Sequence, residues 1–263
     1  MHSITMDQGL WLAAMSVIVG IDFWLESLFI FRPIIVCTLT GWILGDLNTG
    51  LLAGSLTELA FAGLTPAGGT QPPNPVLAGV MTTVIAYTTG MDSKAAIGLA
   101  LPFSFLMQYI ILFYYSSFSF FMVKADKYAE EADTKAFWKL NFLTTAIVAV
   151  TYGVVVFLCT YVAQEAMQAL VGAMPDWLKH GFEIAGGILP AVGFGMLLKV
   201  MLKPQYVPYL IAGFVFACFM KFSNLLPVAL IGAALGIYEY YNSRDKALAA
   251  QQTPKGEDYS AGI

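Results

Sequence analysis

One acidic residue lies in the middle of an apolar stretch. Glu58 stands within Leu51–Leu64, and no lysine or arginine occurs within ten residues of it in the sequence. At membrane depth a charged side chain costs between about 2.5 and more than 10 kcal/mol, so such groups are usually functional. The two oxygens of a carboxylate can orient adjacent hydroxyl groups of a ligand by accepting their hydrogen bonds. Glu58 is therefore predicted to bind a polyol, unless it is protonated or forms a structural ion pair with Arg32.

A loop of unusual composition follows this acid. Residues 65–75 contain four prolines and two glycines, which argues against a continuous helix, yet no charge occurs from Leu59 to Met91. The loop carries Thr70, Gln71 and Asn74. Amide groups offer both donors and acceptors, so this cluster suits a neutral ligand rich in hydroxyl groups. The alternative is that these residues cap the helices on either side of the loop, as Asn and Thr commonly do.

The remaining polar residues supply no catalytic arrangement. Ion pairing or anchoring at a membrane interface accounts for the four charged residues around the second apolar segment, which are Asp22, Glu26, Arg32 and Asp46. Two histidines and three widely spaced cysteines are too few for a metal cluster or a disulfide framework. Because no nucleophile–base set or nucleotide motif is present, we expect the chain not to be an enzyme by itself and to need no cofactor.

The composition places these residues in a membrane protein. The 263 residues are 58% apolar and 11% charged, whereas soluble domains carry roughly 25% charged residues. Eight charges fall in residues 124–139 and six in residues 242–263, so the other 225 residues hold only 16. A soluble enzyme is excluded on this ground. A nucleic-acid partner is not expected, because the net charge is −4 and no basic stripe exists.

The apolar segments differ in length along the chain. About 20 apolar residues are needed to cross a bilayer, and the second half of the chain contains several such stretches. Short segments joined by an uncharged Pro/Gly loop are instead typical of re-entrant hairpins, which often form transporter binding sites. The sequence therefore predicts five parts: short and re-entrant segments in 1–94, a long transmembrane helix in 95–123, a charged cytoplasmic loop in 124–139, transmembrane spans in 140–241, and a polar cytoplasmic tail in 242–263. The expected side of the membrane follows from the lysines of 124–139.

Several stretches resemble a known family. FIFRPIIVCTLTGWILGDL at 29–47, NTGLLAGSLTELAFAGLTPAGG at 48–69 and HGFEIAGGILPAVGFGMLL at 180–198 are similar to the membrane component C of the mannose-type sugar phosphotransferase system. GGTQPPNP at 68–75 and the two ends of the chain look most like its N-acetylgalactosamine branch. Relatives of the mannose branch carry an acidic residue where Asn74 stands, which favours a different sugar.

The resemblance implies an all-α, polytopic subunit of an elevator-type transporter, with re-entrant hairpins and an inverted repeat, in the bacterial inner membrane. It implies a membrane partner, component D, in a trimer of C–D heterodimers, and cytoplasmic components A and B, of which B phosphorylates the incoming sugar. We expect Glu58, Gln71 and Asn74 to contact the sugar, and Thr70 with them. Two alternatives stay open: an ion-coupled transporter with Glu58 as its coupling site, and a structural subunit without a ligand.

Overall fold

A computed structural model of the chain describes residues 2–64, 72–219 and 226–252, with side chains as far as residue 244. Within these residues the secondary structure is helical, and the α-helices are α1 (Met6–Leu25), α2 (Pro33–Leu44), α3 (Leu47–Phe61), α4 (Pro75–Thr89), α5 (Ser93–Ser117), α6 (Ser119–Glu130), α7 (Thr134–Phe157), α8 (Gln164–Ala173), α9 (Asp176–Met201), α10 (Val207–Phe219) and α11 (Leu226–Gln252). The chain divides into two compact units, residues 1–200 and 201–263.

In the part of the chain that the structure describes, four helical stretches are long and apolar enough to cross a membrane: Met6–Leu25, Ser93–Ser117, Thr134–Val162 and Asp176–Met201. The first of them is longer than the apolar run of the sequence, because Thr5 and Gln8 form a capping box at its start and Asp22 lies inside it. The expectation that residues 1–94 hold only short segments is therefore corrected for α1. Helix α5 continues through Pro102 without a break.

The charged segment 124–139, expected to be a loop, is mostly helical. Its first half is the end of α6, its second half is the start of α7, and only residues 131–133 between them are non-helical. Asp133 caps α7 by accepting a hydrogen bond from the Ala136 amide at 3.0 Å. The charges of this segment are thus exposed side chains on two antiparallel helix ends.

Helices α2 and α3 form a tight antiparallel hairpin. Gly41 and Gly50 lie face to face where the two helices approach, and a Cβ at Gly50 would come within 2.6 Å of the Cys37 carbonyl oxygen. Asp46 caps α3, and because the Thr49 hydroxyl and amide both donate to its carboxylate, the pKa of Asp46 lies below its usual value. This hairpin presents the start of α2 and the end of α3 at its open end.

Helix α4 runs parallel to α2 and antiparallel to α5. The Cys37 thiol of α2 contacts the Gly79 carbonyl oxygen of α4 at 3.3 Å, and α4 is almost entirely buried. Both α2 and α4 begin with a proline at the first helical position, Pro33 and Pro75, where a missing N–H has no consequence. Two helix starts therefore lie side by side at one level.

This level is near the middle of the long helices. Asn74, immediately before α4, is hydrogen-bonded to Ser104, the twelfth of the 25 residues of α5. At 1.5 Å per residue, Ser104 lies about 17–20 Å from either end of that helix. The end of α3 packs against Gly193 in the interior of α9. Helices α3 and α4 thus end and begin deep between the candidate membrane spans, as re-entrant segments do.

In the unit 201–263, helices α10 and α11 pack against each other. The Tyr209 hydroxyl of α10 donates a hydrogen bond to Glu239 of α11 at 2.9 Å, and Ser243 donates to the same carboxylate at 3.2 Å. Helix α11 continues to Gln252, so the first part of the segment 242–263, expected to be a polar tail, is helical, and residues 253–263 lie outside the described residues.

Candidate functional site

A pocket lies where the ends of four helices meet. The end of α1, the start of α2, the end of α3 and the start of α4 surround a space of about 260 Å³. Its lining residues are largely aromatic side chains and prolines with one acid and one base, namely Phe23, Glu26, Phe29, Phe31, Arg32, Pro33, Phe61, Leu64, Pro72 and Pro75. A small-molecule site of mainly apolar walls with few polar groups has this composition.

The connection between α1 and α2 forms the aromatic wall of this pocket. The buried Asp22 carboxylate accepts hydrogen bonds from the amides of Leu28 at 2.6 Å and Phe31 at 3.3 Å. Glu26 and Phe29 have left-handed backbone conformations, with φ of 48° and 58°, which non-glycine residues rarely adopt. Asp22 therefore holds a strained segment in the shape that presents Phe29 and Phe31 to the pocket.

Arg32 and Glu58 form an ion pair beside the pocket. The Arg32 guanidinium donates to Glu58 Oε1, with Nε at 2.8 Å, and Oε2 accepts the amide of Ile34 at 3.2 Å. Glu58 of α3 thus caps the start of α2, where the partial positive charge of the helix also favours an anion. Arg32 lines the pocket and Glu58 lies behind it, with about a quarter of its side chain exposed.

Asn74 caps the start of α4. Its Oδ1 accepts the amide of Leu77 at 3.0 Å, and its Nδ2 donates to the hydroxyl of Tyr152 at 2.6 Å. The residue is 1% exposed. In this structure both ends of the amide are bonded within the protein, which is the capping role that was the alternative to sugar contact.

The structure brings part of the predicted site together. Glu58 and Asn74 lie at the two helix starts that border the pocket, whereas Thr70 and Gln71 lie outside the described residues. Arg32 and Glu26, interpreted from the sequence as pairing or anchoring residues, both line the pocket. The aromatic wall was not predicted from the sequence. The FIFRP stretch at 29–33, with two phenylalanines close to an arginine, could have indicated it.

This arrangement can bind a small polar ring with an apolar face. The rings of Phe23, Phe29 and Phe31 pack on one another, with centroids 5.3 and 5.5 Å apart, and offer flat apolar surface. Arg32 can donate several hydrogen bonds and Glu26 can accept them. No group of three or more His, Cys, Asp or Glu side chains in the described part of the chain could hold a metal. The pocket therefore has the chemistry of a binding site for an uncharged, hydroxyl-bearing molecule.

Comparison with known proteins identifies the family. The family described as PTS system sorbose-specific IIC component matches residues 6–238. N-acetylgalactosamine permease IIC component 1 of Escherichia coli K12 is 67% identical over 267 aligned residues and covers 100% of both chains. The mannose-specific EIIC component of Escherichia coli K12 is 28% identical over 221 residues, 84% of this chain and 83% of that protein.

Solved structures agree with this assignment. A chain solved as a membrane protein is 26% identical and covers 91% of this chain and 97% of its own, with a TM-score of 0.82. The mannose transporter ManYZ, solved in complex with microcin E492, gives the same identity and coverage with a TM-score of 0.58. Since the family matches most of the chain and a relative 67% identical covers all of it, the protein belongs to the sorbose-type family of phosphotransferase IIC components, the sugar-specific membrane subunits of these systems.

Proposed function

We propose that this chain is the subunit that moves N-acetylgalactosamine, or a closely related amino sugar, across the bacterial inner membrane. The observation that carries the choice of sugar is the full-length 67% identity to an N-acetylgalactosamine permease IIC component. The sugar is phosphorylated by component B of the same system as it is released. The chain itself transports and does not catalyse the phosphoryl transfer.

The pocket at the helix starts is the proposed sugar site. The sugar ring packs on the aromatic wall, and side chains of the loop 65–75 contribute further contacts. Gln71 contacts ring hydroxyls or the acetamido group, and Thr70 is a further contact. Glu58 either accepts hydrogen bonds from the sugar itself or orients Arg32, which then donates hydrogen bonds to the sugar. Contact between Asn74 and the sugar stays a prediction, which requires the buried amide to leave its present partners.

The position of the pocket supports release to the cytoplasm. Trp24 at the end of α1 stacks on Tyr115 near the end of α5, so the α1–α2 connection lies toward the end of the molecule that carries the charged α6–α7 turn. We propose that this turn is cytoplasmic, because lysines concentrate there. A sugar leaving the pocket on this side would meet component B.

The proposed assembly pairs this chain with a membrane component D, as a trimer of C–D heterodimers, and with cytoplasmic components A and B. The solved relative ManYZ supports a membrane partner of this kind. Sugar movement is proposed to follow an elevator mechanism between inverted repeats.

Uptake measurements test this proposal. The chain is expressed with its components A, B and D in cells that lack amino-sugar uptake, and labelled N-acetylgalactosamine, galactosamine and mannose are compared. We expect N-acetylgalactosamine to accumulate in the cell as its phosphate. Its uptake should require phosphoenolpyruvate and should continue when an uncoupler is added. Collapse of uptake with the uncoupler while phosphoenolpyruvate is plentiful would favour the ion-coupled alternative, and preference for mannose would refute the choice of sugar.

A further inference from the structure

The last irregular residue before α4 is held by a single residue of α5. The Asn74 amide donates to the Ser104 carbonyl oxygen at 3.2 Å, and Ser104 Oγ donates back to the Asn74 carbonyl oxygen at 2.8 Å. Ser104 is fully buried. Irregular backbone at membrane depth persists only where protein or water satisfies its polar groups. Ser104 satisfies both backbone groups of Asn74 and so permits a helix to begin there.

A second long helix holds the Asn74 side chain. Tyr152 of α7, which is fully buried, accepts the Asn74 Nδ2 hydrogen bond at 2.6 Å. Its hydroxyl lies in the protein interior and does not line the pocket. The Tyr152 ring lies near the pocket-lining Phe23, with ring centroids 6.2 Å apart, whereas the hydroxyl is tied to the pocket through Asn74, which is followed at once by the pocket-lining Pro75.

The Tyr152 ring is itself fixed by the packing of α7 on α1. Gly20 of α1 makes room for it, since a Cβ at that position would lie 2.9 Å from the Tyr152 Cβ and closer still to the ring. Gly9 of α1 lies against Tyr161, in the π-helical turn Leu158–Val162 that follows α7. The α1–α7 pair thus presents the Tyr152 hydroxyl at a defined point, and the start of α4 is tied to that point.

We propose that Tyr152 and Ser104 are positioning residues of the sugar site, acting through Asn74. They fix the position of Asn74 at the start of α4, and with it the pocket-lining Pro72 and Pro75. Without these bonds the start of α4 must be fixed when the sugar binds, and this lowers affinity. The inference rests on the proposed function, because it assumes that the pocket binds the transported sugar.

The test compares two tyrosine hydroxyls that each make one side-chain hydrogen bond involving α7, one with Asn74 and one with Thr151. Tyr152→Phe keeps the ring against Gly20 and removes only the bond to Asn74. Tyr114→Phe is the matched control, since the Tyr114 hydroxyl shares a 2.6 Å hydrogen bond with Thr151 and does not contact Asn74. Sugar uptake is measured with the complete set of components, and rates are divided by the amount of assembled complex in the membrane.

We expect Tyr152→Phe to raise the apparent KM for the sugar by about 3- to 10-fold, the range that the loss of one hydrogen bond allows. The maximal rate and the amount of complex should stay close to the original values, and Tyr114→Phe should leave KM unchanged. Ser104→Ala, which removes the Oγ bond to the Asn74 carbonyl oxygen and leaves the 3.2 Å backbone bond in place, should raise KM in the same direction by a smaller factor. An unchanged KM in both Tyr152→Phe and Ser104→Ala would overturn the proposal.

A double variant tests whether Tyr152 acts through Asn74. If it does, the KM of Asn74→Ala with Tyr152→Phe equals that of Asn74→Ala alone, because the bond that Tyr152→Phe removes is already absent. Effects that multiply would show that Tyr152 acts independently of Asn74 and would contradict the proposal. The original chain is tested in the same experiment with N-acetylgalactosamine, galactosamine and mannose. If the proposed sugar is wrong, the original chain will not take it up, and this result is separate from the comparison of the variants.

Discussion

At the residue scale, the Arg32–Glu58 pair combines two roles that single substitutions cannot separate. Arg32 is the only lysine or arginine in residues 1–93, so the sequence limits the choice of a local partner for Glu58. In the structure Glu58 also caps α2. A partly buried pair of this kind leaves an uncompensated charge when one partner is removed, and that charge destabilises the fold more than loss of the whole pair does.

We therefore expect Arg32→Gln and Glu58→Gln each to lower the free energy of unfolding by about 1–3 kcal/mol, below the range for fully buried pairs because both side chains are partly exposed. The double variant should regain most of this loss. Thermal unfolding of the protein in detergent measures the effect. If the double variant is stable but does not transport, Glu58 or Arg32 also contributes to sugar binding or transport. If Glu58→Gln alone is as stable as the original protein, the pair does not have this structural role.

The same scale shows how far the site could be predicted. The ion pair was accessible to sequence reasoning because charges are rare in this half of the chain. The Asn74–Tyr152 bond was not, because its partners are 78 residues apart and Tyr152 is one of 13 tyrosines. Tyr152 reaches Asn74 because Gly20 leaves room for its ring and because α1 and α7 pack antiparallel in one register. No short sequence pattern indicates that register.

At the element scale, a glycine allows the short helix α3 to approach the long helix α9. In α9, a Cβ at Gly193 would overlap the Leu59 carbonyl oxygen and lie 2.7 Å from that of Ala60, whereas the space around Gly195 is open. The end of α3, and with it the wall formed by Phe61 and Leu64, is therefore positioned by backbone contact with α9.

These two glycines give a matched pair of substitutions. Gly193→Ala should push α3 away from α9 and lower stability by about 1–3 kcal/mol, the usual effect of overpacking. Gly195→Ala should be neutral or stabilise the helix by up to about 1 kcal/mol, because alanine is the better helix former. Melting temperatures of the two variants measure the difference. Equal melting temperatures would show that the α3–α9 contact is looser than the structure gives.

The positions of the long helices were largely predictable, but their ends were not. Uncharged length indicated α5, α7 and α9, yet α7 begins at Thr134 and includes two lysines, and α9 begins at Asp176. Charged side chains at helix ends can extend into water while the backbone stays helical. A charge therefore marks where a helix leaves the bilayer and does not mark where the helix ends. Residues 124–139 were predicted as a loop because their charges were interpreted as the ends of the flanking helices.

At the largest scale, the contacts between helices define two ends of the unit 1–200. His2 stacks on Tyr87, and Gln8 donates to the Leu44 carbonyl oxygen, so the starts of α1 and α5 lie at the same end as the α2–α3 turn. The α6–α7 turn lies at the opposite end, because α7 runs antiparallel to α1. The lysines of α6 and α7 are the basis for the proposal that this turn is cytoplasmic.

Cysteine labelling tests this arrangement in intact cells. In a chain whose native Cys37, Cys159 and Cys218 are replaced by serine or alanine, we expect Lys94→Cys to react with a membrane-impermeant maleimide from outside. Glu131→Cys should react only after the inner membrane is permeabilised. Both side chains are exposed and both positions lie at helix ends, so their reactivities differ through the side of the membrane alone. Reaction of Glu131→Cys in intact cells would invert the topology and would place the opening of the proposed sugar pocket away from component B.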